Sequence, residues 1–398
     1  MSNTQKQIYV DHSATTPVDP DVLAAMLPYF TEVFGNANSL HTHGRAAAKA
    51  VDDARARVAA AIGAKPKEIY FTAGGTEGDN WALRGTAWGY RGRGDHIIIS
   101  AVEHPAVMTT AKELKKQGFS VSVAPVKPSG IVDLAALEAL ITDKTILISV
   151  MLANNEVGTV QPVRTIADLA HARGILMHTD AVQAVGSIPV NVDDLGADML
   201  TLSAHKFYGP KGIGALYIRN GIRPDRILSG GHQERTRRGG TTNVPGAVGL
   251  GEAITRATQN LAENAAYIAR LRDRFVKRVK AEIPYVRYNG DPQARLPQNA
   301  NFSFELVEGE SILFSLDLAG ISASSGSACS SGSLEPSHVL LAIGVPIEVA
   351  HGSIRFSFGK GNTEADVDYI VDKLKEIITR LRVMSPLVIV QKGETKNV

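Results

Sequence analysis

Between residues 45 and 260, short branched apolar runs alternate with longer amphipathic stretches, a pattern that predicts an α/β unit with a mostly parallel sheet covered by helices. Seven runs read as strands, at 68–72, 96–100, 121–126, 145–152, 175–178, 199–203 and 214–218. Some, such as 146–152, are apolar without alternation, as expected of strands buried on both faces. Helices are expected at the Ala-rich 46–62, at 134–141 behind the capping Asp133, and at 163–173. Near residue 257 the pattern changes to a long charged helix that runs to about Glu282. Strands at 301–305 and 353–358 and an amphipathic helix at 364–381 follow, which together read as α+β. The expected division is a large domain over 16–257 and a small domain built from 1–15 and 258–398. The stretch 322–335, dominated by Ser, Gly and Ala, offers little apolar area to bury and is expected to be a mobile loop.

With 398 residues, 44% of them hydrophobic, the chain can bury one large core and a smaller second one. Its formal net charge of +2 and its interspersed acidic and basic residues argue against a nucleic-acid surface or an anchor to an anionic membrane. Residues 1–10 are polar, and the late apolar run 387–390 is far too short to span a bilayer, so a cytoplasmic protein is expected. Cysteine usage is more informative: Cys329 is the single thiol, which excludes intrachain disulfides and multi-cysteine metal motifs. Its role is therefore either that of a small buried hydrophobe or that of a solitary reactive group.

Three segments carry candidate chemistry. In 71–79 a predicted strand runs into Gly74-Gly75-Thr76 and then a helix, where free N–H groups and the positive helix end suit a phosphate. Thr76 with Asp79 is also an ordinary capping box. In 175–183 a buried strand ends at Asp180, a carboxylate that needs either a cationic partner such as a protonated pyridine nitrogen or a helix N-terminus to cap. In 203–212, Lys206 stands at the end of another core strand before a Gly/Pro turn. Burial there lowers an ammonium pKa toward the free amine that forms an imine, whereas a surface lysine simply snorkels. A phosphate cradle, a pyridinium counter-ion and an imine-forming amine in this order fit pyridoxal phosphate.

Longer stretches sharpen this. Tyr9-Val10-Asp11-His12-Ser13-Ala14-Thr15-Thr16-Pro17, Thr72-Ala73-Gly74-Gly75-Thr76-Glu77, Asn154-Asn155-Glu156-Val157-Gly158 and His178-Thr179-Asp180-Ala181-Val182-Gln183 all resemble the NifS/IscS-like cysteine desulfurases of the class V aminotransferase group. So do Ser203-Ala204-His205-Lys206 and, most specifically, Ser324-Ser325-Gly326-Ser327-Ala328-Cys329 with Leu334-Glu335-Pro336-Ser337-His338. The resemblance covers nearly the whole chain. It implies the type I fold of pyridoxal-phosphate transferases, with a mostly parallel seven-stranded sheet and a smaller α+β domain. Gly75 stands where some members have Ala, and Ser330 where others have Thr. The stretch 231–235 looks closer to nitrogen-fixation-type members.

Carried over residue by residue, the resemblance implies that Lys206 bears the cofactor, Asp180 pairs with its ring nitrogen and Gln183 contacts its hydroxyl. Gly75, Thr76, Ser203 and His205 would hold the phosphate, completed by Gly240-Thr241 of a second subunit in a two-fold homodimer. His104 would stack on the ring and move protons; otherwise it is a surface histidine. Asn155 and Arg355 would grip the carboxylate of L-cysteine, since a guanidinium can bind it with two parallel hydrogen bonds. Cys329 would take the sulfur as a persulfide and pass it to acceptors such as an iron–sulfur scaffold, leaving alanine. A selenocysteine lyase, a small-substrate aminotransferase and a non-catalytic binding protein are the rivals. An aminotransferase has no use for a thiol on a loop, and a binding protein has none for an intact lysine, aspartate and cysteine.

Overall fold

The computed structural model describes residues 7–325, 336–385, 389–391 and 394–396. In chain order the strands are β1 (Ile8–Tyr9), β2 (Ile69–Thr72), β3 (His96–Ser100), β4 (Ser120–Ala124), β5 (Thr145–Ser149), β6 (Leu176–Asp180), β7 (Met199–Ser203) and β8 (Gly214–Ile218). Then come β9 (Val286–Tyr288), β10 (Asn299–Phe304), β11 (Ile321–Ser322) and β12 (Ser353–Ser357), followed by a short hairpin of Ile389–Gln391 and Glu394–Lys396. Seven strands form one sheet in the order β2-β8-β7-β6-β5-β3-β4. Neighbours from β7 through β6, β5 and β3 to β4 are parallel, and β8 runs antiparallel to both β2 and β7. The expected mostly parallel, seven-stranded sheet is therefore what the chain forms. Every residue of β2, β3 and β5 to β8 is buried, which explains their apolar runs without alternation; β4, at the edge, is half exposed.

Because β8 reverses direction, β2 points the same way as β7. The carboxyl ends of β2, β3, β5, β6 and β7 thus share one edge, where ligands bind in open α/β sheets.

Two helices, Val244–Gln259 and Leu261–Glu282, meet at Asn260; the second is the long charged helix expected from about 257 to 282, and the first is an addition to the expected elements. The first hides its helical pattern behind glycines placed for close packing: a Cβ at Gly249 would lie 2.6 Å from Met26 Sδ, and one at Gly251 would lie 2.9 Å from Ala54 Cα. Only glycine lets this helix lie against Thr42–Ala61.

Antiparallel β9-β10-β12 backs onto the helices Leu261–Glu282, Gly309–Leu318 and Glu364–Met384. Phe275, Phe302, Phe304 and Phe356 fill this second core, with Phe275 and Phe356 centroids 4.7 Å apart. Ile8 and Val10 join the same core, because β1 pairs in parallel with β11. No helix among the described residues is long and apolar enough to cross a membrane.

Candidate active site

The Gly-rich turn after β2 leads into the helix Gly75–Asn80, whose N-cap is Gly74 with no side-chain cap. The capping box of Thr76 with Asp79 is thus not formed, and the first N–H groups of the helix remain available. A Cβ at Gly75 would lie 2.8 Å from Val182 Cγ2, so the missing side chain allows the turn to approach the loop after β6. Gly75, Thr76, Ser203 and His205 line one open cavity of about 820 Å³, together with Ala14 and Thr15. His205 Nδ1 lies 3.1 Å from Thr15 Oγ1. Burial, with Lys206 and Lys211 adding to it, pushes His205 down to about 4, so it is neutral at pH 7. Glu77 pairs with Arg238 at 2.8 Å and joins the rim of the cavity to the segment carrying Gly240 and Thr241. Thr241 itself does not line the cavity within the chain.

Lys206 ends the short turn Ala204–Lys206 that follows β7. It is half-buried rather than snorkelling, and its Nζ donates to the carbonyls of Ser13 at 2.6 Å and Ala14 at 2.9 Å. Gln183 Nε2 donates to the same Ser13 carbonyl at 2.9 Å, so these two predicted residues converge on one backbone oxygen.

Asp180 is the last residue of β6, two positions beyond the expected strand end, and is 5% exposed. No helix follows it; its Oδ1 accepts the N–H of Val182 at 2.8 Å. Burial raises its carboxyl, opposed first by His104, then by the Val182 N–H and Lys206. His104 is half-buried at the N-terminus of the helix Pro105–Lys116, where Nδ1 accepts the N–H of Ala106 at 3.1 Å. Burial lowers its pKa, Asp180 acts against this, and Lys206 and His338 reinforce it. The three predicted groups Lys206, Asp180 and His104 therefore share one electrostatic neighbourhood.

Arg355, buried on β12, donates through Nη1 to the Asn155 carbonyl at 3.1 Å and pairs through Nη2 with Asp11 Oδ1 at 2.6 Å. Its backbone N–H also reaches the Ser324 carbonyl at 2.6 Å. The start of the 322–335 stretch is thus tied down, with Ser322 in β11 and Ser324 bridged to Arg355, rather than part of a mobile loop. Cys329 lies outside the described residues, as does the rest of that stretch as far as 335. Beyond it, Ser337 donates to Glu156 Oε2 at 2.5 Å and His338 Nε2 meets the Glu103 carbonyl at 3.0 Å.

Asp11, the Ser13 and Ala14 carbonyls, the Glu77–Arg238 pair, Glu103 and His338 were not singled out from the sequence. Backbone carbonyls leave no side-chain signal. His178, in contrast, was readable: it stands two residues before Asp180 in an apolar strand and so shares its face.

A β-sheet edge that gathers a glycine turn, a half-buried lysine and a buried aspartate defines a class of enzyme, and the chain belongs to the family described as aminotransferase class-V, whose profile matches residues 8–370. Within that family it is similar, at full length, to cysteine desulfurases. It is 51% identical over 387 residues to the cysteine desulfurase IscS of Methanosarcina thermophila, covering 97% of this chain and 96% of that one. It is 50% identical over 384 residues to the cysteine desulfurase IscS of Clostridium botulinum strain Hall, covering 96% and 97% respectively. Among solved structures, a NifS-like protein superposes with a TM-score of 0.89 at 39% identity, covering 94% of this chain and all of the other.

Proposed function

We propose that this protein is a cysteine desulfurase, a cytoplasmic homodimer that converts L-cysteine to L-alanine and passes the sulfur, held as a persulfide on Cys329, to acceptor proteins of iron–sulfur cluster assembly. The observation that carries this reading is the convergence of Lys206, Gln183 and the phosphate-seat residues around Ser13, Ala14 and Thr15, in a chain related at full length to cysteine desulfurases. The reading divides the chain into a large domain over 16–257 that holds the cofactor and a small domain over 1–15 and 258–398 that supplies Arg355 and Cys329.

The residues fit pyridoxal phosphate. Gly75 leaves the room that a Cβ would fill beside Val182, and the buried Asp180 carboxyl ends its strand where a ring cation would stabilise its ionised form. Lys206 would bind the cofactor aldehyde, Asp180 and Gln183 its ring, and Gly75, Thr76, Ser203 and His205 its phosphate, with Thr241 of a second subunit. When bound, the cofactor supplies an electron sink for the bonding pair released at the substrate Cα.

Asn155 and Arg355 hold the cysteine carboxylate, with Asp11 fixing the guanidinium, and this orientation presents Cα–H to the Lys206 amine as general base. His104, whose pKa is lowered by burial, would take up and release protons beside the bound cofactor. The Cys329 thiolate attacks the substrate sulfur: an S–S bond forms, the C–S bond breaks, and the carbon fragment leaves as alanine after protonation. Cys329→Ala should retain the visible absorbance of bound cofactor while sulfide release in dithiothreitol falls to background. Retained turnover refutes the assigned nucleophile.

A further inference from the structure

Beside the proposed ring site lie three buried carboxyls: Asp79 on the helix after β2, Glu103 just beyond β3 and Asp180 at the end of β6, with exposures of 1%, 0% and 5%. Asp180 has His104 and Lys206 in range. Among the described residues the other two have no such partner. The nearest basic group to Asp79 is His178, with Nε2 3.7 Å from Oδ1. That imidazole sits between Ser149 Oγ at 2.8 Å and Thr201 Oγ1 at 3.1 Å, fully buried, and its pKa is pushed down to about 3, so it is neutral. Among the described residues Asp79 Oδ1 has no hydrogen-bond partner. Glu103 Oε1 accepts the Ser100 hydroxyl at 2.5 Å and the Met151 N–H at 2.8 Å, but Oε2 is buried with no partner among the described residues. An ionised carboxylate in either place would be a charge in a low-dielectric interior with an oxygen left unsatisfied.

We infer that Asp79 and Glu103 are positioning residues that stay protonated in the working enzyme, so that Asp180 alone of the three carries negative charge toward the ring nitrogen. This rests on Asp180 being the ring counter-ion in the proposed function. Like charges at one site compete for protons, and each ionised neighbour would drive Asp180 back to its neutral form. The electrostatics agree: burial, then Asp180, raises Asp79 far above the ordinary carboxyl range, and burial takes Glu103 to about 8. A second fixed anion would also oppose electron flow into the ring during catalysis. The packing holds Asp79 close, since a Cβ at its neighbour Gly78 would come within 2.7 Å of Thr201 Cγ2.

Infrared spectroscopy of the holoenzyme in deuterated buffer at pH 7 tests this through the carbonyl stretch of protonated carboxyls. The inference expects bands from which Asp79→Asn removes one, Glu103→Gln removes another and Asp180→Asn removes none. Glu156 is also raised by burial, and any band it gives is common to all of these spectra. A spectrum unaltered by Asp79→Asn and Glu103→Gln overturns the inference. Loss of a band in Asp180→Asn instead overturns the counter-ion reading on which it stands. Wild-type holoenzyme without any protonated-carboxyl band sinks the inference and requires no variant to fold.

Discussion

Arg355, proposed to grip the substrate carboxylate, is already fixed by partners within the chain. Its guanidinium is 2% exposed, and burying a cation so completely costs several kcal/mol unless a partner is at hand. Asp11 and the Asn155 carbonyl are those partners, and they also fix the plane of the fork. Arg355→Lys keeps the charge but loses the fork, so KM for cysteine should rise about 10- to 100-fold, from roughly 1.5–3 kcal/mol for a charged hydrogen bond, with cofactor absorbance unchanged. Steady-state kinetics over a cysteine series checks this, and an unaltered KM contradicts the assignment. His178 makes a different prediction, for stability. Its folded pKa, about 3, lies below the unfolded value of 6.5, so the unfolded chain takes up the proton first. Its contribution is complete above pH 6.5 and is lost as pH falls toward 3, at up to about 1.4 kcal/mol per pH unit. Tm measured from pH 7 to 4 should therefore fall less steeply in His178→Asn than in wild type, and parallel slopes would refute it.

At the scale of elements, the proposed phosphate seat depends on how closely the helix Gly75–Asn80 lies against β7. A side chain at Gly78 would meet Thr201 at 2.7 Å, and overpacking of that kind costs about 1–3 kcal/mol. Gly78→Val should weaken pyridoxal phosphate binding by roughly 5- to 150-fold in a fluorescence titration, with Gly78→Ala between it and wild type. Wild-type affinity in Gly78→Val would show that the turn does not bind phosphate. The same elements show what could be read in advance. Strands β3, β7 and β8 were placed to the residue, because strands buried on both faces leave unbroken apolar runs. Strand β6 was cut short at 178 because its last residues, Thr179 and Asp180, are polar although their backbones pair with β7. The helix Val244–Gln259 buries Val244, Ala247, Leu250, Ala253 and Ile254 at helical spacing, but Pro245 and the glycines at 246, 249 and 251 set among them read as a loop. Lys206, Asp180 and Gln183 were legible as residue types at strand ends; the Ser13 carbonyl on which Lys206 and Gln183 meet was not, since any residue could supply it.

The whole molecule is proposed to work as a pair. Thr241 does not line the phosphate cavity of its own chain, while Arg238, three residues earlier, is anchored at its rim through Glu77. If Thr241 serves the partner, a mixed dimer of a Lys206→Ala subunit and a Thr241→Ala subunit holds one intact site and one doubly damaged one. Random reassortment of two such inactive proteins should then restore about a quarter of wild-type sites, as expected for two-fold composite sites. Activity after denaturing and refolding the mixture measures this, and no recovery refutes a site shared between the two subunits.

The pairing of β1 with β11 has a bearing on how the enzyme is made. Ser13 and Ala14, whose carbonyls hold the Lys206 amine, follow directly on a strand whose partner is translated more than three hundred positions later, at Ile321. A nascent polypeptide halted on the ribosome after the seven-stranded sheet has emerged would hold the lysine while the first strand still lacks its partner, so the strand leading into the clasp is secured only when Ile321 and Ser322 are made.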